Sequence, residues 1–270
     1  MEQVASDTVS IRELQKVELD ILDSIDKFCR SHNIHYSLAF GTMLGAVRHK
    51  GFIPWDDDVD IVMPRDDYER FLNEFSSGHL IIKSVEIDKE WPCPFAKVFD
   101  MKIELNEHIH GCEPYGAYVD VFPLDGLPNN FRKIKKIYAK VVRRWFIIAR
   151  SFTESRHSSK NIFRKIARFI IISICWFLRK PLIKKMVKSS KKYDFNDSKY
   201  VGCQSIGTYG LKHAVEKEKL GYYSDIYFEN HYYMCFSGFD YYLSHIYGDY
   251  MKIPPESDRI THTHDLKWRK

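Results

Sequence analysis

The chain of 270 residues is 44% apolar and 15% aromatic, so it can bury a full core, either as one large domain or as a domain with an insertion. Its six cysteines are widely scattered and no pair has C-x-x-C spacing, which argues against a zinc ribbon and against a redox pair. The first ten residues, MEQVASDTVS, lack the apolar core of a signal peptide, and we therefore expect a cytoplasmic protein.

The net charge of +5 is distributed very unevenly. Residues 132–192 contain 20 Lys or Arg and a single acid, Glu154, a local balance of +19, while the rest of the chain carries −14. This asymmetry predicts a polyanionic partner for the basic stretch. We do not expect nucleic acid, because aromatic residues do not alternate with the charges as they do on single-strand binding surfaces.

An amphipathic helix is predicted over residues 10–32. Ser10 is followed three positions later by Glu, the spacing of a capping box, and apolar side chains then recur at helical intervals. A short strand at 36–40 leads into Gly41 and Thr42, which precede the helix-compatible segment MLGAV. A Gly-Thr turn that opens a helix presents backbone N–H groups and a hydroxyl to an anion.

Four aspartates follow within five positions: Asp56, Asp57, Asp58 and Asp60. From Asp58 the run DVDI alternates polar and apolar residues, as a half-buried strand does, so Asp58 and Asp60 point to one face. Two like charges this close repel each other, and a bound divalent cation is the usual remedy. The alternative is a capped helix followed by an acidic turn.

Other candidate ligand contacts surround the aspartates. Arg48, His49 and Lys50 lie in a predicted loop, where basic side chains are usually only solvated. Facing a cluster of aspartates and a phosphate-bearing substrate, they are placed to bind phosphate oxygens. Trp55 is compatible with ordinary packing, with stacking on a base, or with covering a quaternary ammonium group.

A helix and several strands are predicted next. The helix covers 65–76, and the strands cover 80–87, 95–99, 101–105 and 118–123. Asp120 lies between two valines in the last of these strands. A buried acid is costly without a partner, and a salt bridge would satisfy it.

The basic stretch is predicted to form two helices, at 131–150 and at 162–187, the second interrupted at Pro181. Residues 169–178, FIIISICWFL, form an uncharged run of ten, too short for a spanning helix, which needs about 20 residues. With its basic flanks, this run favours a helix that lies in an anionic membrane surface. The alternative is a buried helix with snorkelling lysines.

The region from residue 200 onward is rich in tyrosine. Most of these side chains must pack, but several could line a pocket for a trimethylammonium group. A helix at 240–247 is expected to dock back on the core.

Three segments carry a resemblance to known families. Gly41-Thr42 followed by DVDI resembles the G-[GS]…Dh[DE]h signature of the nucleotidyltransferase-fold superfamily. The string GTMLGAVRHKGFIPWDDDVDIVMPRDDYERF resembles the LicD-type family of phosphocholine transferases, which is related to fukutin and fukutin-related protein. Further matches lie at 116–126 (GAYVDVFPLDG) and 242–255 (YLSHIYGDYMKIPP).

The resemblance implies an α/β (α+β) fold with a nucleotidyltransferase-like mixed sheet flanked by helices. We expect a catalytic core at 1–128, a basic helical insertion at 129–195, and an aromatic-rich part at 196–270 that packs back on the core. The implied enzyme would be attached peripherally to the inner face of the membrane.

The resemblance also implies an activity: transfer of a phospho-alcohol from a CDP-linked donor, with CDP-choline expected, to a sugar hydroxyl of a lipid-linked surface glycan or teichoic-acid precursor. Asp58, Asp60 and Asp120 are the implied catalytic residues and the ligands of Mg²⁺ or Mn²⁺, with Asp120 also the candidate base. The implied substrate-binding residues are Gly41, Thr42, Arg48, Lys50, Trp55, Asp57 and Lys97. A CDP-ribitol or CDP-glycerol donor stays open, as does a non-catalytic membrane-binding module.

Overall fold

The computed structural model describes four ranges of the chain: 9–105, 116–152, 162–259 and 266–268. The first elements are α1 (Ile11–His32), β1 (Ser37–Leu38), α2 (Phe40–Arg48), β2 (Val59–Pro64), α3 (Arg65–Glu74), β3 (Leu80–Lys83), β4 (Ala96–Asp100), β5 (Ile103–Leu105) and β6 (Ala117–Leu127). The later elements are α4 (Phe131–Ser151), α5 (Ile162–Ser190), β7 (Tyr200–Cys203), β8 (Ala214–Glu216), α6 (Lys217–Leu220), β9 (Tyr223–Phe228), β10 (His231–Phe236), α7 (Phe239–Tyr247) and β11 (Leu266–Trp268).

Helix α1 begins with the predicted capping box, in which Ser10 and Glu13 satisfy each other's backbone N–H groups. Its buried stripe includes Leu14, Ile21 and Ile25, which confirms the amphipathic helix. This stripe packs in one hydrophobic core with α2, α3 and the sheet.

The main sheet has seven strands, with the order β1-β2-β6-β4-β3 along its principal path. Strand β2 runs parallel to β6. The first part of β6 pairs antiparallel with β4, its second part pairs antiparallel with β7, and β8 pairs with β7. Helices flank this mixed sheet, which confirms the predicted fold class.

The strand pairing bears on the three parts predicted from the sequence. Strands β7 and β8, from the part predicted to pack back on the core, complete the sheet that contains β2 and β6. Helix α4 and the second half of α5 share a smaller apolar cluster that includes Leu127 at the end of β6. The boundaries after residues 128 and 195 stay predictions.

Helix α5 differs from its prediction. It runs from Ile162 to Ser190 with Pro181 inside it, so the predicted interruption is wrong. A proline within a helix frees the carbonyl four residues earlier, which here belongs to Phe177. Phe177 lies on the exposed side of the helix, where the residue is 76% exposed. Strand β3 is also shorter than predicted, because Ser84 starts a turn in which its carbonyl accepts from Asp88 N–H over 2.8 Å.

Candidate active site

A cavity of about 610 Å³ is lined by residues from distant parts of the chain. Asp58, Asp60 and Asp120, the three aspartates predicted to be catalytic, all line it. The rest of the lining comes from α2 and the loop after it, Phe95 before β4, Phe122 on β6, α4, the loop after β7, and the end of α7 with the loop after it. The fold therefore brings the three carboxylates into one space that a substrate can enter.

Strand register explains why the carboxylates converge. Asp60 on β2 lies beside Asp120 on β6, and Asp120 lies beside Lys97 on β4. Directly opposed residues in neighbouring strands point to the same face of a sheet, about 5 Å apart. Asp58, two positions before Asp60, shares that side and also lines the cavity.

Burial and mutual repulsion make this group of acids hard to ionise together. Burial raises the pKa of Asp60 well above its usual value, and the charges of Asp58, Asp120 and Asp56 raise it further. The pKa of Asp56 rises to about 8, from burial first and then from the charges of Asp58 and Asp57. Such a cluster favours a bound cation or a bound proton.

Asp56 is a cavity residue that the sequence interpretation did not include among the site residues. It packs against Gly41 so closely that a Cβ at position 41 would come within 2.6 Å of Asp56 Oδ2. Gln15 of α1 donates to the Asp56 carbonyl over 2.9 Å and so fixes this loop. The sequence offered only the position of Asp56 next to the other aspartates. That position does not distinguish Asp56, which faces the cavity, from Asp57, which is buried and does not line it.

The start of α2 presents its backbone to the cavity. Phe40 has a left-handed φ of 43°, uncommon for a residue with a side chain, and turns the chain from β1 into the helix. Ala39 is the N-cap residue, and its methyl group cannot cap the first N–H groups. Gly41 lines the cavity, whereas the buried Thr42 hydroxyl accepts a hydrogen bond from Asp60 N–H over 2.8 Å. Gly41 is placed to contact a ligand, and Thr42 holds β2 against α2.

Lys97 forms an ion pair with Asp120. Lys97 Nζ lies 2.7 Å from Asp120 Oδ1, and the two side chains are only 9% and 10% exposed. The ammonium also lies over the Tyr118 ring. Lys97 is not part of the cavity lining, so its contact with a phosphate stays a prediction. Its charge compensates that of Asp120.

The basic loop after α2 is only partly directed to the cavity. Arg48 lines it, and its guanidinium donates to the carbonyls of Tyr250 and Lys252 over 2.9 and 3.4 Å. Lys252 also lines the cavity. Lys50 is exposed and lies outside the lining. The structure therefore brings Arg48, but not Lys50, to the aspartates.

Aromatic side chains form much of the cavity wall. Trp55, Trp145, Tyr209 and Tyr247 are all half-buried in it, and the hydroxyls of Tyr209 and Tyr247 are hydrogen bonded over 3.0 Å. The guanidinium of Arg259 also lies over the Trp55 ring, 4.6 Å from the ring centroid, in a cation–π contact. The tyrosine-rich region was predicted from the sequence, but not which tyrosines face the site. Trp145 was missed, because it lies in the stretch assigned to the basic insertion.

The acids are compatible with a divalent cation. Among the described residues, no three His, Cys, Asp or Glu side chains are arranged as a complete metal site. Magnesium, however, is usually held by one or two carboxylates together with substrate phosphates and water. Asp58 and Asp60 offer oxygen donors of this kind, and their repulsion fits a positive occupant. Asp120 already contacts Lys97.

Comparison with known proteins agrees with the motifs. The family model described as "LicD/FKTN/FKRP, nucleotidyltransferase domain" matches residues 33–158. The lipopolysaccharide cholinephosphotransferase LicD of Haemophilus influenzae is 31% identical over 270 residues, covering 94% of this chain and 96% of that protein. Shorter segments match uncharacterized proteins of Rickettsia typhi, 47% identical over 59 residues (21% of this chain, 19% of that protein), and Rickettsia prowazekii, 56% identical over 36 residues (13% and 14%). The resemblance is confirmed, and the chain belongs to the LicD family, which is grouped with fukutin and fukutin-related protein.

Proposed function

We propose that this protein transfers phosphocholine from CDP-choline to a sugar hydroxyl of lipopolysaccharide or another surface glycan, such as a teichoic-acid precursor, with Mg²⁺ or Mn²⁺. The Haemophilus relative is, by its name, a lipopolysaccharide cholinephosphotransferase. The observation that carries the proposal is the single cavity shared by Asp58, Asp60, Asp120, the start of α2 and several aromatic rings. Carboxylates suit a metal-bound diphosphate, helix N–H groups suit phosphate, and aromatic faces suit a quaternary ammonium.

Each group has its own role in the proposed transfer. Asp58 and Asp60 hold the divalent ion, which supplies charge neutralisation on the diphosphate. Gly41 N–H and Arg48 position phosphoryl oxygens. The acceptor oxygen forms a bond to the choline-bearing phosphorus, and the bond from that phosphorus to CMP breaks. Asp120 accepts a hydrogen bond from the acceptor hydroxyl, orients it and receives its proton.

The aromatic side chains of the cavity can be assigned to two parts of the donor, its cytosine base and its trimethylammonium group. Trp55 already carries the Arg259 guanidinium, so a second cation on the same indole gains less from its π-electrons. A stacked cytosine base does not meet this penalty. We therefore assign Trp55 to the base, and Tyr209 and Tyr247 to the trimethylammonium group.

Release of CMP from a panel of donors tests the proposal. The protein is incubated with CDP-choline, CDP-ethanolamine, CDP-ribitol or CDP-glycerol, together with Mg²⁺ and deacylated lipopolysaccharide. We expect CMP from CDP-choline, and none when the divalent ion is chelated. A preference for CDP-ribitol or CDP-glycerol would move the assignment to that donor. No release from any donor would point to a non-catalytic membrane-binding module.

We also propose that α5 attaches the enzyme to an anionic membrane surface. Arg144 on α4 contacts Ser189, and Arg179 lies over the Phe152 ring, so α5 runs antiparallel to α4 and its first half extends past the end of α4. Apolar side chains exposed on this half are Ile162, Phe163, Ile166, Phe169, Ile170, Ile171, Ile174, Trp176, Phe177 and Leu178.

The inward face of the same half-helix is the more polar one, since Cys175 and Arg179 are its buried residues. The run 169–178 is therefore not a core helix, and the buried-helix alternative is wrong. Within the described ranges, no helix combines the length and apolarity that a membrane crossing requires. Exposed Lys165 and Lys184 flank the apolar surface and would attract anionic headgroups while the apolar side chains enter the interface.

A further inference from the structure

Helix α4 separates the active-site cavity from a second cleft of different chemistry. This cleft has a volume of about 350 Å³ and lies between α4, the end of α5 and the segment around Gln204. Its charged lining residues are all basic: Lys133, Lys136, Lys140, Arg144 and Lys192. We call it the basic cleft.

Helix periodicity places four of these cations together. Lys133, Lys136, Lys140 and Arg144 recur every three or four residues and form a stripe about 16 Å long on one face of α4. Lys192 faces them from beyond the end of α5. In the described parts of the chain, none of the five has a carboxylate within ion-pair distance.

The basic cleft is more than a group of surface lysines. Gln204 in its wall is only 3% exposed, and its amide donates to the Gly126 carbonyl over 3.4 Å. Arg144 is half-buried and donates to the Ser189 hydroxyl over 3.2 Å. These contacts fix the cleft's walls, while like charges converging on a concave space favour an anionic occupant.

We propose that the basic cleft binds phosphate groups carried by the glycan acceptor, an inference that rests on the proposed transfer to a surface glycan. Arg144 lines the basic cleft, and the next residue, Trp145, lines the active-site cavity. The two sites are thus separated by about one helix diameter, ~10 Å. An extended oligosaccharide can place a hydroxyl near Asp120 and a phosphate in the cleft.

A lipid headgroup offers the same phosphate chemistry, but the geometry favours the glycan. The basic cleft is concave and lies between packed elements, whereas a bilayer presents a broad surface. Ser189 in its wall is 11 residues, or about 16 Å, along α5 from Leu178 at the end of the exposed apolar run. The cleft and the apolar run therefore serve different parts of an acceptor.

A charge-matched pair of variants tests the proposal. Lys133→Gln/Lys136→Gln/Lys140→Gln removes three charges from the basic cleft. The control removes three exposed charges of α4 that do not line the cleft, at Arg132, Lys135 and Arg143. Because all six side chains are exposed, both variants should keep the thermal midpoint of the wild type.

The probe is deacylated lipopolysaccharide, with its core phosphates or after enzymatic dephosphorylation. Binding is measured by isothermal titration calorimetry without donor or divalent ion. We expect the cleft variant to bind the phosphorylated probe at least about tenfold more weakly than wild type, because charge-assisted hydrogen bonds are lost. The control should stay within about threefold, since its side chains do not line the cleft and their charges are screened by solvent. The dephosphorylated probe should bind all three proteins alike.

Equal weakening of both variants would overturn the proposal and leave only general electrostatic attraction. A second arm uses vesicles of phosphatidylcholine with phosphatidylglycerol. If the cleft variant loses vesicle binding but not glycan binding, the cleft serves headgroups, and the proposal is wrong. The proposed function fails separately, through absence of CMP release, because the binding measurement contains no donor.

Discussion

Two buried ion pairs on β6 allow the proposed chemical role of Asp120 to be tested apart from its structural one. Lys97 Nζ lies 2.7 Å from Asp120 Oδ1, and Arg65 Nε lies 2.7 Å from Asp125 Oδ1, five residues further along the strand. Asp120 lines the active-site cavity and Asp125 does not. Asp125→Asn is therefore a matched control for Asp120→Asn.

The two substitutions should destabilise the fold by similar amounts. Removing one partner of a buried ion pair costs about 3–5 kcal/mol, because the other charge is left uncompensated. Each pair has a feature that offsets part of this cost. Loss of the Asp120 charge relieves its repulsion with Asp60, and Arg65 keeps a longer contact with Glu86 at 3.5 Å. We expect the free energy of unfolding to fall by about 2–4 kcal/mol in both variants.

Urea denaturation measures the stability of each variant, and CMP release from CDP-choline measures turnover under conditions where both remain folded. We expect only Asp120→Asn to lose turnover. The double variant Lys97→Met/Asp120→Asn should recover stability, because no buried charge is left alone, but not turnover. If Asp125→Asn lost turnover as fully as Asp120→Asn, the loss of activity would be explained by destabilisation of the fold. The proposed role of Asp120 as the base would then be refuted. A cost below about 1 kcal/mol for Asp120→Asn would refute the ion-pair argument.

Three further predictions follow from burial and exposure. Asp58→Asn should abolish turnover without lowering the thermal midpoint, because repulsion with Asp60 is relieved; surviving metal-dependent turnover would contradict this. Burial lowers the pKa of His213 to about 3, against about 6.5 in an unfolded chain, so its contribution to stability is lost as the pH falls below 6.5. Between pH 7 and pH 5, the free energy of unfolding measured by urea denaturation should fall by about 2 kcal/mol more in the wild type than in His213→Phe. An equal fall in the two proteins would contradict this prediction. The double variant Ile170→Ser/Phe177→Ser should sediment less with anionic vesicles but should keep transfer to a deacylated acceptor, because both side chains are exposed. Aggregation, with loss of both vesicle binding and transfer, would show that these side chains lie in a packed interface.

The parts of the site that were predictable are local in sequence. Alternation from Asp58 into the start of β2 places Asp58 and Asp60 on one side, and the Gly-Thr turn indicates the start of α2. Period and spacing are sufficient for such features, because neighbouring residues decide them. The capping box of α1 is of the same kind.

The parts that were not predictable depend on contacts between distant segments. The Lys97–Asp120 pair requires β4 to lie beside β6 in one particular register, and a single-residue slip would turn Lys97 to the other face. Tyr209, in the loop after β7, and Tyr247, at the end of α7, reach the cavity from far along the chain. The Thr42 hydroxyl was predicted to face an anion, and only the packing of α2 on β2 shows that it accepts a hydrogen bond from Asp60 N–H.

The basic region is not a detachable membrane anchor beside an independent catalytic core. Three consecutive residues of α4 have three different surroundings: Arg144 lines the basic cleft, Trp145 lines the active-site cavity, and Phe146 is 65% exposed. Helix α4 packs tightly on the loop after β7, since a Cβ at Gly207 would come within 2.8 Å of Trp145 Cβ. Deleting the region would remove a wall of the cavity as well as the helix that we propose to contact the membrane. The proposed membrane attachment and the proposed transfer are therefore better separated by substitutions on the exposed half of α5. Such substitutions leave α4 and the cavity intact.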